Sequence, residues 1–322
     1  MKNEDSLILV TGAAGFIGAA LSQQLLKLGF HVVGIDNLND YYDVNLKHDR
    51  LKQLEGSSDW TFHKIDLADQ SAMEKLFSDY QFDIVINLAA QAGVRHSVTH
   101  PHVYVESNVV GFLHVLDGCR QTKVKHLLFA STSSVYGASE KLPYSETDSA
   151  DQPIALYGAT KRANELMAHS YSYLYQLPCT GLRFFTVYGP WGRPDMALFQ
   201  FTQKILSGHP IDVFNHGDMI RNFTYIDDIV EGICRLIDKP RLFEIYNLGN
   251  PRSVKLLAFI QEIEKNLDRK AELRYLPMQA GDVKANVADT SKLKLVTGWV
   301  PNISIEEGVK RFIQWYREYE KG

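Results

Sequence analysis

The chain has 322 residues, 45% hydrophobic and 22% charged, with a formal net charge of −4. That is enough apolar material for a large core in one unit or two close lobes. The mild, interspersed charge argues against nucleic-acid or anionic-membrane partners, and no apolar run nears the roughly 18 residues of a membrane span.

Cys119, Cys179 and Cys234 are odd in number and far apart, and the 11 histidines show no HExxH-like spacing. No disulfide framework and no metal site are expected, and a reducing, cytoplasmic setting is. The opening MKNEDSLILVTG lacks a long apolar core and a small-residue cleavage site, so no secretory leader is expected.

In chain order, SLILVTG reads as a buried strand, and FIGAALSQQLLKLG carries apolar residues at helical spacing up to Gly29. HVVGID, WTFHKID, FDIVINLAA, KHLLFAS and CTGLRFF follow as strands. Helical patterns such as AMEKLFSDY and VYVESNVVGFLHVLDGCR lie between them. Alternating strand and helix predicts an α/β fold with a doubly wound parallel sheet. After about Phe184, Gly and Pro punctuate TVYGPWGRPD and the elements shorten. Four further helical patterns and the strands EIYNLG and AELRYLP suggest a smaller α/β lobe. The expected division is a nucleotide-binding domain over 1–184, also receiving segments near 225–250, and a lobe over 185–322.

VTGAAGFIG closes the first strand and opens the first helix, with Gly12, Gly15 and Gly18 spaced G-x-x-G-x-x-G around Phe16 and Ile17. Such glycines let backbone N–H groups approach a pyrophosphate at a helix N-terminus. The second strand ends at Asp36, followed by Asn37. A carboxylate there accepts ribose hydroxyls and repels a 2′-phosphate, so the cofactor is expected to be NAD and not NADP. Asp66 and Leu67 follow the third strand, beside the adenine. Leu88, Ala89, Ala90 and Gln91 follow the fourth, under the middle of the cofactor.

Tyr157 and Lys161 stand four apart in ALYGATKRANELMAHSYSYLY, on one helical face. A phenol with an ordinary pKa near 10 is a poor base at neutral pH, and a neighbouring ammonium is expected to lower it. STSSVYG follows the fifth strand, at the carboxyl edge where open α/β sheets carry their sites.

Together, the glycine loop, NLAAQAGVR, STSSVYG, Y-x-x-x-K and RNFTYIDDIVEGI resemble the extended short-chain dehydrogenase/reductases that act on nucleotide sugars. Within that group IDNLNDYYDVNLKHDRL, FFTVYGPWGRPDMALF and LPMQAGDVKANVADTSKL resemble the UDP-glucuronate 4-epimerases. The resemblance implies that Tyr157, Lys161 and Thr132 are catalytic, that Lys161 also holds the nicotinamide ribose, and that Asn108 belongs to the cofactor site. Ser133 and Ser134 replace the carboxylates that dehydratases and decarboxylases carry beside VYG. Neutral donors suit a substrate with its own carboxylate, because like charges at close range are costly. Arg193 is the natural partner of that carboxylate, and Thr186 stands where galactose epimerases carry Asn.

For the UDP-sugar, the resemblance implies Arg95, Phe199, Gln200, Val213, Phe214, Asn215, Arg221 and Asp282. Gln279 stands where the group often has Arg, which puts diphosphate binding by that segment in doubt. The implied reaction is 4-epimerisation through a transient 4-keto sugar. Rival readings are a UDP-glucuronate decarboxylase, a UDP-glucose or N-acetylglucosamine 4-epimerase, and a non-catalytic NAD-binding regulatory protein. A homodimer is expected through the segments 102–120 and 157–175.

Overall fold

A computed structural model describes residues 6–321. The first five residues of the opening segment lie outside the described residues. Seven parallel strands form the main sheet. They include β1 (Leu7–Thr11), β2 (His31–Asp36), β3 (Trp60–Lys64), β4 (Ile84–Asn87), β5 (His126–Thr132) and β6 (Cys179–Phe184). Strand Phe243–Leu248 adds to the free edge of β6, giving the order 243–248, β6, β5, β4, β1, β2, β3. The direction of winding reverses between β1 and β4, which is where a doubly wound sheet opens a crevice at its carboxyl edge.

Side-chain alternation along each strand feeds two cores. Ile8 and Val10 of β1 join Val32, Leu128 and Leu182 on one face. Leu9 joins Val33, Val85, Leu127 and Phe129 on the other. Both faces are covered, so the strands read as continuous apolar runs.

After β6 the chain builds three short sheets. Thr186–Tyr188 pairs with Phe223–Tyr225, and Ile211–Val213 with Leu273–Tyr275. Ile220–Arg221 takes Val254–Lys255 on one side and Ala285–Asn286 on the other. Helices Ala197–Leu206, Leu256–Leu267 and Ile305–Tyr319 pack around them. No helix among the described residues is long and apolar enough to cross a membrane.

Two local features go beyond the elements expected from the sequence. VNLKHDRLK forms a helix over Val44–Lys52, capped by Asp43 accepting from the Asn45 N–H at 2.9 Å. The helix expected over 103–120 is interrupted by a wide π-type turn, Val105–Val110. There the buried Asn108 side chain accepts from the Gln91 N–H (2.8 Å) and donates to the Gln91 carbonyl (3.0 Å) and to Thr160 (3.1 Å). π-bulges commonly sit next to functional sites.

Candidate active site

A continuous cavity of about 1090 Å³ runs from the glycine loop past the carboxyl edge of the sheet to Phe214, Arg221 and Asp282. A single drug-sized ligand typically takes about 300–1,000 Å³, so the cavity exceeds the needs of one small ligand.

The glycine loop forms one end. Gly12 has φ +70°, and a Cβ there would stand 2.8 Å from the Ala89 nitrogen. A Cβ on Gly18 would overlap the Gly12 carbonyl oxygen. The backbone is thereby tucked flat, and helix α1 (Phe16–Lys27) starts at Gly15 with no side chain capping it. Its first N–H groups stay open to an anion. Asp36, buried at the end of β2, accepts from the Ala14 N–H (3.2 Å) and the Leu38 N–H (2.8 Å). Gly15, Phe16, Ile17, Asn37, Asp66, Leu67, Leu88, Ala89, Ala90 and Gln91 line the same stretch. The donor set and the close glycine backbone fit a dinucleotide.

Tyr157 and Lys161 reach the middle of the cavity from helix Leu156–Tyr175. One turn beyond them Glu165 is wholly buried. It accepts from Ser131 Oγ (2.6 Å) and from Arg183 Nε and Nη2 (both 2.8 Å), which pins the helix to β5 and β6. Thr132, at the end of β5, accepts the Ser134 N–H at 3.2 Å and so starts the 3₁₀ turn Ser133–Tyr136.

The electrostatics differ from the simple phenol–ammonium expectation. Burial raises the Tyr157 pKa, while the Arg193 charge and a hydrogen bond with Thr132 pull it back. Lys161 is not among the groups that lower it. The lysine is itself buried, and desolvation brings its pKa down to about 8. Arg193, which the sequence suggested only as a carboxylate partner, is thus also the strongest opposing charge on the phenol.

At the far end, Arg221 donates to Asp282 at 2.7 Å, and the Arg95 guanidinium lies 5.1 Å from the centre of the Phe214 ring. Ser133, Ser134, Thr186 and Gln200 also line the cavity. Ser133 Oγ accepts from Asn286 Nδ2 (2.8 Å), leaving its own proton free to donate. Gln279 Oε1 and Asn286 Oδ1 are buried without a partner although both residues line the cavity. Unpaired buried acceptors of this kind call for a donor from a ligand or from water.

Four expected contacts are elsewhere. Asn108 stands behind the wall, holding Gln91 in place. Phe199 and Val213 are buried in the core, Phe199 edge-on to Tyr316 at 5.2 Å. Asn215 turns back to the Asp218 carbonyl at 2.7 Å. Asn108 braces Gln91; Phe199 packs in the core because helix Ala197–Leu206 turns Gln200 and not Phe199 to the cavity, and Val213 is buried at the end of the strand Ile211–Val213.

Sequence reasoning also missed Tyr41, Lys47 and Asp195, all on the cavity wall. Lys47 Nζ donates to the Asn39 carbonyl (2.7 Å) and side chain (2.9 Å), and burial lowers its pKa. All three lie in stretches that carry the family resemblance, yet no spacing rule marks them.

Over residues 8–249 the sequence matches the NAD dependent epimerase/dehydratase family. The chain belongs to this family. The UDP-glucuronate 4-epimerase of Thermodesulfobacterium geofontis is 45% identical over 313 residues, covering 96% of each chain. The crystal structure of the Bacillus cereus UDP-glucuronic acid 4-epimerase, in complex with UDP-glucuronic acid and NAD, superposes with TM-score 0.91 at 34% identity. It covers 97% of this chain and 99% of that one. A Thermotoga maritima UDP-glucose 4-epimerase with UDP-glucose gives TM-score 0.89 at 30% identity, covering 98% and 99%. The family fold is therefore shared almost equally by epimerases of acidic and neutral sugars. What separates them must lie in side chains along the cavity.

Proposed function

We propose that the protein is an NAD-dependent UDP-glucuronate 4-epimerase, interconverting UDP-glucuronate and UDP-galacturonate. The carrying observation is that Arg193 lines the same cavity as Tyr157, where Thr132 is followed by two neutral hydroxyls, Ser133 and Ser134. A guanidinium on the wall of that cavity suits a sugar that carries its own carboxylate. The 45% identity to a UDP-glucuronate 4-epimerase supports the same choice.

Tyr157 takes the proton of the C4 hydroxyl as a general base, and Thr132 hydrogen-bonds the same oxygen. NAD, when bound, would supply a reversible acceptor for the hydride of C4 and would not be consumed. Lys161 and Asp36 hold the two ribose ends, and the glycine loop holds the pyrophosphate. The 4-keto sugar turns over in the cavity, and Tyr157 returns the proton to the oxygen on its new face. That ketone is β to the carboxylate and can lose CO2 when the breaking bond aligns with the carbonyl π system. Arg193, Ser133 and Ser134 hold the carboxylate out of that alignment. Arg221 and Arg95 take the diphosphate, a role the neutral Gln279 cannot fill, and Asp282 takes the uridine ribose.

The test is incubation with UDP-glucuronate, UDP-glucose and UDP-N-acetylglucosamine, with products identified by NMR. UDP-galacturonate as main product is expected. UDP-pentose with CO2 would make the protein a decarboxylase. Turnover of neutral sugars alone would make it a UDP-glucose-type epimerase. NAD binding without any turnover would make it a regulatory protein.

We also infer a cytoplasmic homodimer. The free thiols suit a reducing compartment. Val105, Val110 and Leu113, with Leu166 and Tyr173, expose apolar surface on the segments expected to pair. Exposed apolar patches of this kind mark protein interfaces. A monomer by light scattering at micromolar concentration would refute the dimer.

A further inference from the structure

Arg193 does not stand alone in the cavity. Its Nε donates to Asp195 Oδ1 at 2.9 Å, and Nη2 pairs with Oδ2 of the same carboxylate. On the other side of Asp195 the Tyr41 hydroxyl donates to Oδ2 at 3.2 Å, and the Tyr41 ring centre lies 5.9 Å from the guanidinium. One edge of the planar fork is thus occupied by protein. Nη1 makes no hydrogen bond among the described residues. Arg, Asp and Tyr all line the cavity.

Tyr41 is delivered from the other end of the site. The loop leaving β2 is wound by three successive side-chain-to-backbone bonds. Leu38 N–H donates to Asp36 Oδ1 (2.8 Å), Asn39 N–H to Asn37 Oδ1 (3.1 Å) and Tyr41 N–H to Asn39 Oδ1 (3.3 Å). These turns are locally determined, so the position of Tyr41 follows from that of Asp36. A second tie runs in parallel. The fully buried Arg50 donates to the Ala14 carbonyl (3.0 Å), to the Tyr42 hydroxyl (2.7 Å) and to the Trp191 carbonyl (2.7 Å). The segment carrying Arg193 and Asp195 is therefore fastened at two points to the loops that form the cofactor end.

We propose that Asp195 and Tyr41 are positioning residues: they hold Arg193 so that its remaining edge meets the carboxylate of the sugar, and thereby set the preference for acidic over neutral UDP-sugars. This rests on the UDP-glucuronate reading. A guanidinium free to swing would pair with a uronate in several geometries, and a carboxylate held loosely beside a 4-ketone loses CO2. With one edge fixed to Asp195, only the other is offered, and the planar fork imposes a direction.

The experiment uses the full chain with its bound NAD. For Asp195→Asn, kcat/KM for UDP-glucuronate should fall about 10- to 100-fold, as a displaced positioning group typically costs. That for UDP-glucose should stay within about twofold, since no misplaced contact serves it. Tyr41→Phe, which keeps the ring, should give a smaller loss of the same kind, about three- to tenfold for one hydrogen bond. UDP-pentose should appear by mass spectrometry in both variants. In an Arg193→Ala background neither substitution should change the ratio between the two sugars further, because both act through Arg193.

Calorimetric binding of UDP-glucuronate and UDP-glucose supplies a readout independent of turnover. If the unaltered protein prefers the acidic sugar in binding and Asp195→Asn abolishes the preference, the inference stands even where the epimerase reading fails. Equal losses for the two sugars, an additive effect on top of Arg193→Ala, or no binding preference in the unaltered protein would overturn it. Tyr41→Phe carries the test where Asp195→Asn does not fold.

Discussion

The two ends of the cavity are made of different materials. At the glycine-loop end the wall is mostly backbone: the open N–H groups of α1, the flattened Gly12 turn and an Asp36 whose carboxylate is occupied by main-chain donors. Away from that end the wall is side chains in opposed pairs, Arg193 with Asp195, Arg221 with Asp282 and Lys204 with Asp212. Backbone geometry suits the constant part of a site, the dinucleotide. Paired side chains suit the part that must distinguish one sugar from the next. Tyr157, Lys161 and Thr132 sit where the two meet.

The contrast is sharpened first at that junction. Tyr157→Phe should lower kcat about 10²–10⁴-fold with NAD binding retained, measured by steady-state kinetics and fluorescence titration. Near-normal turnover would remove the phenol from the mechanism.

Arg193→Ala should next cost about 2–5 kcal/mol in transition-state stabilisation for UDP-glucuronate and little for UDP-glucose. Lysine should not rescue it. Because the Arg193 charge pulls the Tyr157 pKa down, its loss raises that pKa. The acid limb of the pH–rate profile should then move to higher pH. An unmoved limb would mean that the two groups do not communicate.

A third variant sets activity against stability. The Lys161 pKa falls from 10.5 to about 8 through burial. A pKa lowered on folding destabilises the folded state fully below the folded value, and the penalty is relieved as pH rises from about 8 towards 10.5. At pH 7, Lys161→Met should therefore stabilise the nucleotide-stripped chain by about 3 kcal/mol while abolishing turnover. The gain should shrink above pH 8 in denaturant titrations. A gain independent of pH would put the effect down to packing.

The smallest effect belongs to the backbone end. Asp36→Ala should weaken NAD binding by about 1.5–3 kcal/mol and relax exclusion of NADP, read by competitive titration. Equal affinity of the unaltered protein for both cofactors would break the comparison from that side.

The same division governs what could be read from the sequence. The glycine loop, Asp36 and the Tyr157–Lys161 pair are local patterns, in which a few contiguous residues fix the geometry, and the parallel sheet follows from strand–helix alternation. Asp195 and Tyr41 are 154 residues apart in the chain, and nothing local to either announces their contact. Phe199 and Gln200 are neighbours, and only the packing of their helix against Tyr316 decides which of them faces the cavity. The π-turn is invisible because the bonds that accompany it, between Asn108 and Gln91, are tertiary. The direction of the Tyr157 shift was misjudged because burial, which the sequence does not display, outweighs a nearby charge.

The strand Phe243–Leu248 has a consequence for how the protein is made. It completes the sheet beside β6 but emerges from the ribosome about 60 residues after it, on the order of several seconds later at typical synthesis rates. During that interval the backbone edge of β6 is unpaired, and an open strand edge recruits other chains. The nascent protein thus waits, with its largest sheet unfinished, until the intervening stretch 185–242 has been translated. Substitutions that slow or destabilise the intervening stretch should reduce soluble yield more than they reduce the stability of the finished molecule.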